Sequence, residues 1–321
     1  MSKWNVILTS PIHHAGTDAL VGNAAWSLLP NLEEATVIDA VREADGMIVR
    51  AFGYFGPQLM DAGSRLKVIG RHGVGVDNVD VEAATERGIW VVNTPEANAE
   101  AVAEHVIGSM LAFARRIVIA DAATRTGDWS LRDRNYGYEV IGKTLGIVGV
   151  GRVGARVAQI AALGLNMDVL YTDVIDREDL ERDVGAKRVP LDELLEQSDV
   201  VTAHTPATPQ TRGMFNADGF ARMKDDALFI NASRGPVVDE AAIIEALRSG
   251  HIGGACLDVF EEEPLAQDSP LMDLPNVILS PHKAGQSDTS MRNMSLVSLD
   301  ILRILRGEEP QYPVNRPSDP R

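Results

Sequence analysis

The chain has 321 residues, 45% apolar and 24% charged, the balance of a folded protein, and at about 100–200 residues per domain two domains are expected. With 30 Lys and Arg against 46 Asp and Glu the net charge is −16, which repels nucleic acid and anionic membrane as partners. Cys256 stands alone, so no internal disulfide forms and a reducing, cytoplasmic compartment is expected; residues 1–10 show no basic-then-apolar leader, and no 18-residue apolar window spans a membrane.

In chain order, residues 4–10, 46–50, 66–71 and 90–93 read as strands. They are continuous apolar runs, which suits a parallel sheet covered on both faces. Residues 57–62 and 81–87 read as short helices between them, and residues 97–119 as one long helix rich in small side chains. A polar stretch without periodicity follows at 124–138. Strand candidates then recur at 145–149, 167–173, 200–205, 227–231, 254–259 and 276–280, separated by helical stretches such as 151–163, 191–197 and 239–248. That alternation predicts an α/β architecture with doubly wound parallel sheets. A last helix over 286–305 stops at Gly307, and the tail beyond it, with four prolines, is expected to be extended.

Residues 149–154 read Gly149-Val150-Gly151-Arg152-Val153-Gly154, the G-x-G-x-x-G pattern between an apolar strand and a helix. The first glycine allows a tight turn, the second lets the backbone approach a pyrophosphate, and the third lets helix and strand pack closely. Free N–H groups at the helix start attract phosphate oxygens. Asp173 follows the next strand, 19 residues beyond Gly154. An acid there accepts hydrogen bonds from ribose hydroxyls and repels a 2′-phosphate, so NAD is the expected cofactor.

Three segments of the second half end an apolar strand in a polar residue: Arg234 after residues 229–233, Glu263 after 256–262, and His282 after 277–281. Carboxyl ends of strands are where open α/β sheets hold ligands. A guanidinium grips a carboxylate in a bidentate fork. A histidine exchanges protons near neutral pH, and a neighbouring carboxylate favours its imidazolium. Singly, each residue has a plain structural reading: Arg234 as a surface turn, Glu263 as part of a solvated acidic run, His282 as a strand end. Together, after a dinucleotide fingerprint, they are the parts needed to reduce a 2-keto acid. His13 and His14 are adjacent, which is not ligand spacing, so no metal is expected; His105 and Cys256 read as packing residues.

The chain resembles the D-isomer-specific 2-hydroxyacid dehydrogenases, within them the phosphoglycerate dehydrogenase branch, from about Gly46 to Leu305. The likeness rests on RHGVGVDNVD at 71–80, NTP at 93–95, AEH at 103–105, GKTLGIVGVGRVG at 142–154, HTP at 204–206, NASRG at 231–235, LDVFEEEP at 257–264 and PH at 281–282. It implies a Rossmann NAD-binding domain, residues 99–285, inserted into a flavodoxin-like substrate domain of residues 1–98 and 286–321. The helices starting near Ala97 and Gln286 would cross the cleft. It implies Arg234 on the substrate carboxylate and keto oxygen, His282 as acid/base with Glu263 as its partner, and Asp258 beside the nicotinamide. Arg152, Val153, His204, Thr205, Pro206, Ala232, Ser233 and Gly285 would line the cofactor site with the glycines and Asp173. The backbone at Val74 and Gly75 would hold the substrate carboxylate, and Arg50 and Arg71 a second anionic group, unless they pair with Asp77 or Asp80.

Arg132 and Arg134 are candidates to reach the site of a partner subunit, since the family's members are usually dimers joined through the cofactor domain. Val74 replaces a threonine found in some relatives, Lys283 replaces an uncharged residue, and appended regulatory domains are not expected. Two alternatives accompany the dehydrogenase reading. One is a glyoxylate or hydroxypyruvate reductase. The other is an NAD-sensing binding protein like the C-terminal binding protein corepressors, against which the short tail weighs.

Overall fold

The computed structural model describes residues 4–321. The expected first-domain start at residue 1 and the leader reading over 1–10 both extend to residues 1–3, outside the described ones. Two compact units are present, one running up to Asn98 and resuming over Gln286–Arg321, the other covering Ala99–Gly285.

The first unit begins with strands β1 (Trp4–Leu8), β2 (Ala24–Leu28), β3 (Gly46–Val49), β4 (Val68–Arg71) and β5 (Trp90–Val92), alternating with helices α1 (His14–Leu20), α2 (Glu34–Val41), α3 (Pro57–Ala62) and α4 (Val81–Glu86). In the second unit α5 (Ala99–Ala114) and α6 (Ile117–Arg125) precede β6 (Thr144–Val148), α7 (Arg152–Gln159), β7 (Asp168–Thr172), α8 (Glu178–Val184), β8 (Lys187–Arg188) and α9 (Leu191–Gln197). Then come β9 (Val200–Ala203), α10 (Ala217–Arg222), β10 (Leu228–Asn231), α11 (Glu240–Arg248), β11 (Gly254–Leu257) and β12 (Val277–Leu279). The chain returns to the first unit with α12 (Asp288–Ser295) and α13 (Val297–Leu305).

Both sheets are wholly parallel. The five-stranded sheet runs β2-β1-β3-β4-β5, the flavodoxin-like order. The seven-stranded sheet runs β12-β11-β10-β9-β6-β7-β8, the Rossmann order with a seventh strand. Every residue of β3, β5, β9, β10 and β11 is buried, as two-sided coverage requires. In the first unit, α13 lies close to the sheet because β4 carries Gly70 there: a Cβ on Gly70 would stand 2.7 Å from Ile301 Cδ1.

The sequence expectations miss β2, whose residues after Ala24 are all exposed; an edge strand needs no apolar run. They also miss α1, α2 and α10, which are short. The long helix expected over 97–119 is two helices, broken at Arg116 with φ 54°, where the Ala114 carbonyl accepts Tyr138 N–H instead. The polar stretch after it contains a 3-10 turn, Trp129–Asp133. The helix expected over 286–305 is also divided. Ser295 Oγ donates back to the Met291 carbonyl at 2.8 Å and accepts His13 N–H at 2.9 Å, a side-chain bond that bends helices. The tail lies against β5, where the buried Asn315 side chain accepts Val91 N–H at 2.7 Å and donates to the Ile89 carbonyl at 2.9 Å. Asp300 on α13 accepts the N–H groups of Gln311 and Tyr312, both at 2.8 Å.

His72, just past β4, is buried with Nε2 3.0 Å from Ser295 Oγ. Burial first, then the positive charges of Arg50 and Arg71, push its pKa down to about 3. The unfolded chain therefore takes up a proton that the folded chain refuses between the ordinary value and about pH 3, and stability falls as pH drops through that window. We expect His72→Asn to reduce the loss of unfolding free energy between pH 6.5 and 4.5, by up to ~1.4 kcal/mol per pH unit, in urea titrations at stepped pH. An unchanged slope would show that His72 is not neutral in the fold.

Candidate active site

In the second unit the chain runs outward from β6 through β7 to β8, then returns to β9 on the other side of β6. The β6–β9 junction is thus the point where strand order reverses, where ligands of such sheets bind. The turn after β6 carries Gly149 at φ +93°, and a Cβ there would stand 2.9 Å from the His204 carbonyl oxygen. A Cβ on Gly154 would stand 2.1 Å from the Gly149 oxygen, so helix and turn touch only because residue 154 is glycine. Gly151, by contrast, faces open space. It starts α7 with no side chain capping the helix, and a helix start of that kind attracts phosphate oxygens. A dinucleotide pyrophosphate fits this turn on steric and electrostatic grounds.

Asp173, beyond β7, accepts Val150 N–H at 2.7 Å and Ile175 N–H at 3.2 Å. Its carboxylate thus stands at the glycine turn, where the ribose of such a cofactor is held. Arg152 is exposed and Val153 half-buried on α7; Thr205, Ala232, Ser233 and Gly285 are half-buried and Pro206 is exposed, all past strand ends of the same edge. His204 turns Nε2 onto Thr202 Oγ1 at 3.1 Å, and burial holds its pKa down to about 4.

The turns after β10, β11 and β12 are locked to one another. Asn231 organises the first: its Oδ1 accepts both Ser233 N–H and Oγ–H, at 3.0 and 2.8 Å, and its Nδ2 donates to the Arg234 carbonyl at 2.9 Å. A Cβ on Gly235 would fall 1.7 Å from the Phe260 oxygen, so only glycine lets the Arg234 turn meet the turn after β11. There Asp258 is only 2% exposed. Its carboxylate accepts Ser280 Oγ–H at 2.5 Å, Lys283 N–H at 2.8 Å and Ala284 N–H at 2.8 Å. Its carbonyl accepts His282 N–H at 2.7 Å. His282 is thereby held at φ 49°, a conformation costly for a residue with a Cβ.

His282 Nδ1 lies 2.7 Å from Glu263 Oε2, and Glu263 Oε1 accepts Phe260 N–H at 3.2 Å. Burial raises the Glu263 carboxyl, but the His282 bond and charge, the Phe260 N–H and the Arg234 charge outweigh it and hold the carboxyl below its usual value. With Nδ1 on the carboxylate, Nε2 is the second ring nitrogen that can carry a proton. His105, read from sequence as a packing residue, puts Nε2 3.2 Å from Ser280 Oγ. Ser280 gives its one proton to Asp258, so His105 is the donor there. The signal was the His105 motif itself, but nothing in the sequence joined it to Ser280, 175 residues away. Lys283 is exposed, and Arg134 pairs with Asp128 at 2.6 Å within its own turn.

In the first unit, Arg50 and Arg71 both stand at the carboxyl edge of the sheet. Arg50 Nη1 donates to the Pro11 carbonyl at 2.8 Å, and burial lowers its pKa. Arg71 Nη1 donates to the His72 carbonyl. The next turn is tied to the end of β5 by Asn93 Nδ2 on the Val74 carbonyl at 2.6 Å and by Gly73 and Thr94 exchanging bonds. Val74 and Gly75 N–H groups have no acceptor among the described residues. Asp80, one suggested partner of the arginines, instead caps α4 and accepts Tyr54 Oη–H.

A family model described as D-isomer specific 2-hydroxyacid dehydrogenase, NAD binding domain, matches residues 107–284. The chain is 42% identical over 284 residues to a glyoxylate reductase of Korarchaeum cryptofilum, covering 87% of this chain and 85% of that one. It is 40% identical over 319 residues to a D-3-phosphoglycerate dehydrogenase of Methanocaldococcus jannaschii, covering 98% of this chain but 60% of that one. The chain therefore spans about three fifths of that relative's length. The crystal structure of an NADPH-dependent glyoxylate/hydroxypyruvate reductase from Sinorhizobium meliloti with NADP and malonate matches with TM-score 0.88 at 31% identity, covering 100% of this chain and 99% of that one.

The Asp258 geometry makes a stability prediction. Asp258→Ala strips acceptors from one buried and one part-buried N–H group and should destabilise the protein by about 1–3 kcal/mol. Asp258→Asn keeps one acceptor oxygen and should cost less. Urea unfolding of the protein without added nucleotide measures both; equal midpoints for the three proteins would refute the anchoring role.

Proposed function

The chain belongs to the D-isomer-specific 2-hydroxyacid dehydrogenases, and from that premise we propose that it interconverts a 2-keto acid and a D-2-hydroxy acid using Arg234, Glu263 and His282. The observation that carries this reading is the His282–Glu263 pair at 2.7 Å, held at a strand's carboxyl end by the buried Asp258. NAD, whose pyrophosphate the turn over 149–154 suits, supplies or accepts the hydride when bound.

In this reading Arg234 holds the substrate carboxylate and polarises the keto oxygen through its fork. His282 Nε2 delivers a proton to that oxygen in reduction and takes it back in oxidation. Glu263 keeps its charge on Nδ1, fixing the ring and stabilising the imidazolium. Asp173 favours NAD over NADP by accepting ribose hydroxyls and repelling a 2′-phosphate. The first unit acts as the substrate domain, with the Val74 and Gly75 N–H groups as carboxylate donors.

The finer proposal is a substrate with a second anionic group, as in 3-phosphoglycerate. It is supported by two arginines at one sheet edge whose fields both bear on neutral His72. A glyoxylate or hydroxypyruvate reductase is the second reading, favoured by likeness to enzymes of those names. The protein is proposed to be a homodimer through α6 and the segment after it: α6 buries none of its residues, and Ile117, Val118, Trp129, Tyr136 and Ile141 are all more than half exposed.

We expect His282→Ala to lower kcat about 10²–10⁴-fold while NADH binding stays within threefold, and Arg234→Lys to be nearly as damaging. Near-normal turnover of His282→Ala would refute the acid/base role. In kcat/KM at fixed ionic strength, 3-phosphohydroxypyruvate and sulfopyruvate should exceed hydroxypyruvate and glyoxylate, and Arg50→Ala or Arg71→Ala should erase that order. If the singly charged acids lead, the second reading takes its place. Sedimentation should give a dimer that Trp129→Glu with Ile117→Glu dissociates; a wild-type monomer refutes the interface.

A further inference from the structure

Val150, the residue between the first two glycines, is gripped on both sides of its main chain. Its N–H is held by Asp173 Oδ2, and its carbonyl accepts Arg177 Nη1. Arg177 is itself fixed. Asp179 takes Nε at 2.8 Å and Nη2 at 2.7 Å in a bidentate pair. The Arg177 backbone N–H donates to Tyr171 Oη at 3.0 Å, and that fully buried tyrosine donates to Glu181 at 2.8 Å. All three donor nitrogens of the guanidinium are thus engaged, one residue's backbone away from the carboxylate that meets the ribose.

We propose that Asp179 is a specificity-determining residue, withholding Arg177 from the 2′-phosphate of NADP. This rests on the NAD reading of Asp173. A dianionic 2′-phosphate is held by an arginine near the second strand's end, and Arg177 is such an arginine in position but not in availability. Repulsion by Asp173 is then one half of the selectivity and sequestration of Arg177 the other. Arg188, a second arginine at the Asp173 turn, is held in the same way by Asp176 and by the Asp173 carbonyl, the latter at 2.6 Å. The alternative for Asp179 is a purely local role, a negative charge in the first turn of α8 that complements the helix dipole.

The test is calorimetric binding of NAD+ and NADP+ to the protein without substrate. Wild type should bind NAD+ at least tenfold more tightly; preference for NADP+ would overturn both the NAD reading and the sequestration. Given that preference, Asp179→Ala should lower the ratio Kd(NADP+)/Kd(NAD+) at least tenfold, and Asp179→Asn should lower it less. The double variant Asp179→Ala with Arg177→Ala should return the ratio to within threefold of wild type, because the gain passes through Arg177. An unchanged ratio in folded Asp179→Ala, or a gain that survives removal of Arg177, overturns the proposal while leaving the NAD reading intact. If Asp179→Ala does not fold, Asp179→Asn and its double with Arg177→Ala decide on the same criteria.

Discussion

Parallel strand pairing is the constraint from which the rest of this molecule follows. A parallel sheet needs a crossover between neighbouring strands, so every strand enters at one edge and leaves at the other. In the seven-stranded sheet all the departing turns therefore collect on one edge, whatever their separation in sequence. That is how Gly149, Asp173, Asn231, Asp258 and His282 come to share a rim. Burial on both faces supplies the rigidity, and the turns are where the sequence can depart from apolar residues without disturbing a core.

At that rim the negative charges act mainly on the backbone. Asp173 and Asp258 accept main-chain N–H groups of a neighbouring turn, and Glu263 accepts one of its own. Buried carboxylates are tolerated only with such donors, and each one fixes a loop that no helix or strand would fix. A chain of net charge −16 can thus present an edge suited to anionic ligands: at this rim its carboxylates are turned onto main-chain amides.

Much of this was legible in the sequence because apolar runs and glycine spacing are local signals. The strands of β3 and β10 announce themselves as unbroken apolar runs, and the glycine turn is recognisable from its neighbours alone. What stayed hidden depended on partners far along the chain. Edge strand β2 has no buried face beyond Ala24 to betray it. The breaks at Arg116 and Leu296 depend on Tyr138 taking a helix-end carbonyl and on a serine hydroxyl bonding its own helix. Arg234, Glu263 and His282 could be named as candidates, but the buried carboxylate of Asp258 holding the histidine turn could not be read from spacing.

The interruption of the first unit has a bearing on how a ribosome delivers this protein. Its sheet precedes the second unit in synthesis, yet the helix that covers Gly70 and the tail that pairs with β5 are made last. The second unit is a continuous stretch and holds all its own strands, so it can close as soon as it emerges. The first sheet must wait, with the surface later covered by Val297 and Ile301 exposed, for nearly two hundred residues to be added. Its carboxyl edge, with the two arginines, is therefore the later of the two carboxyl edges to mature.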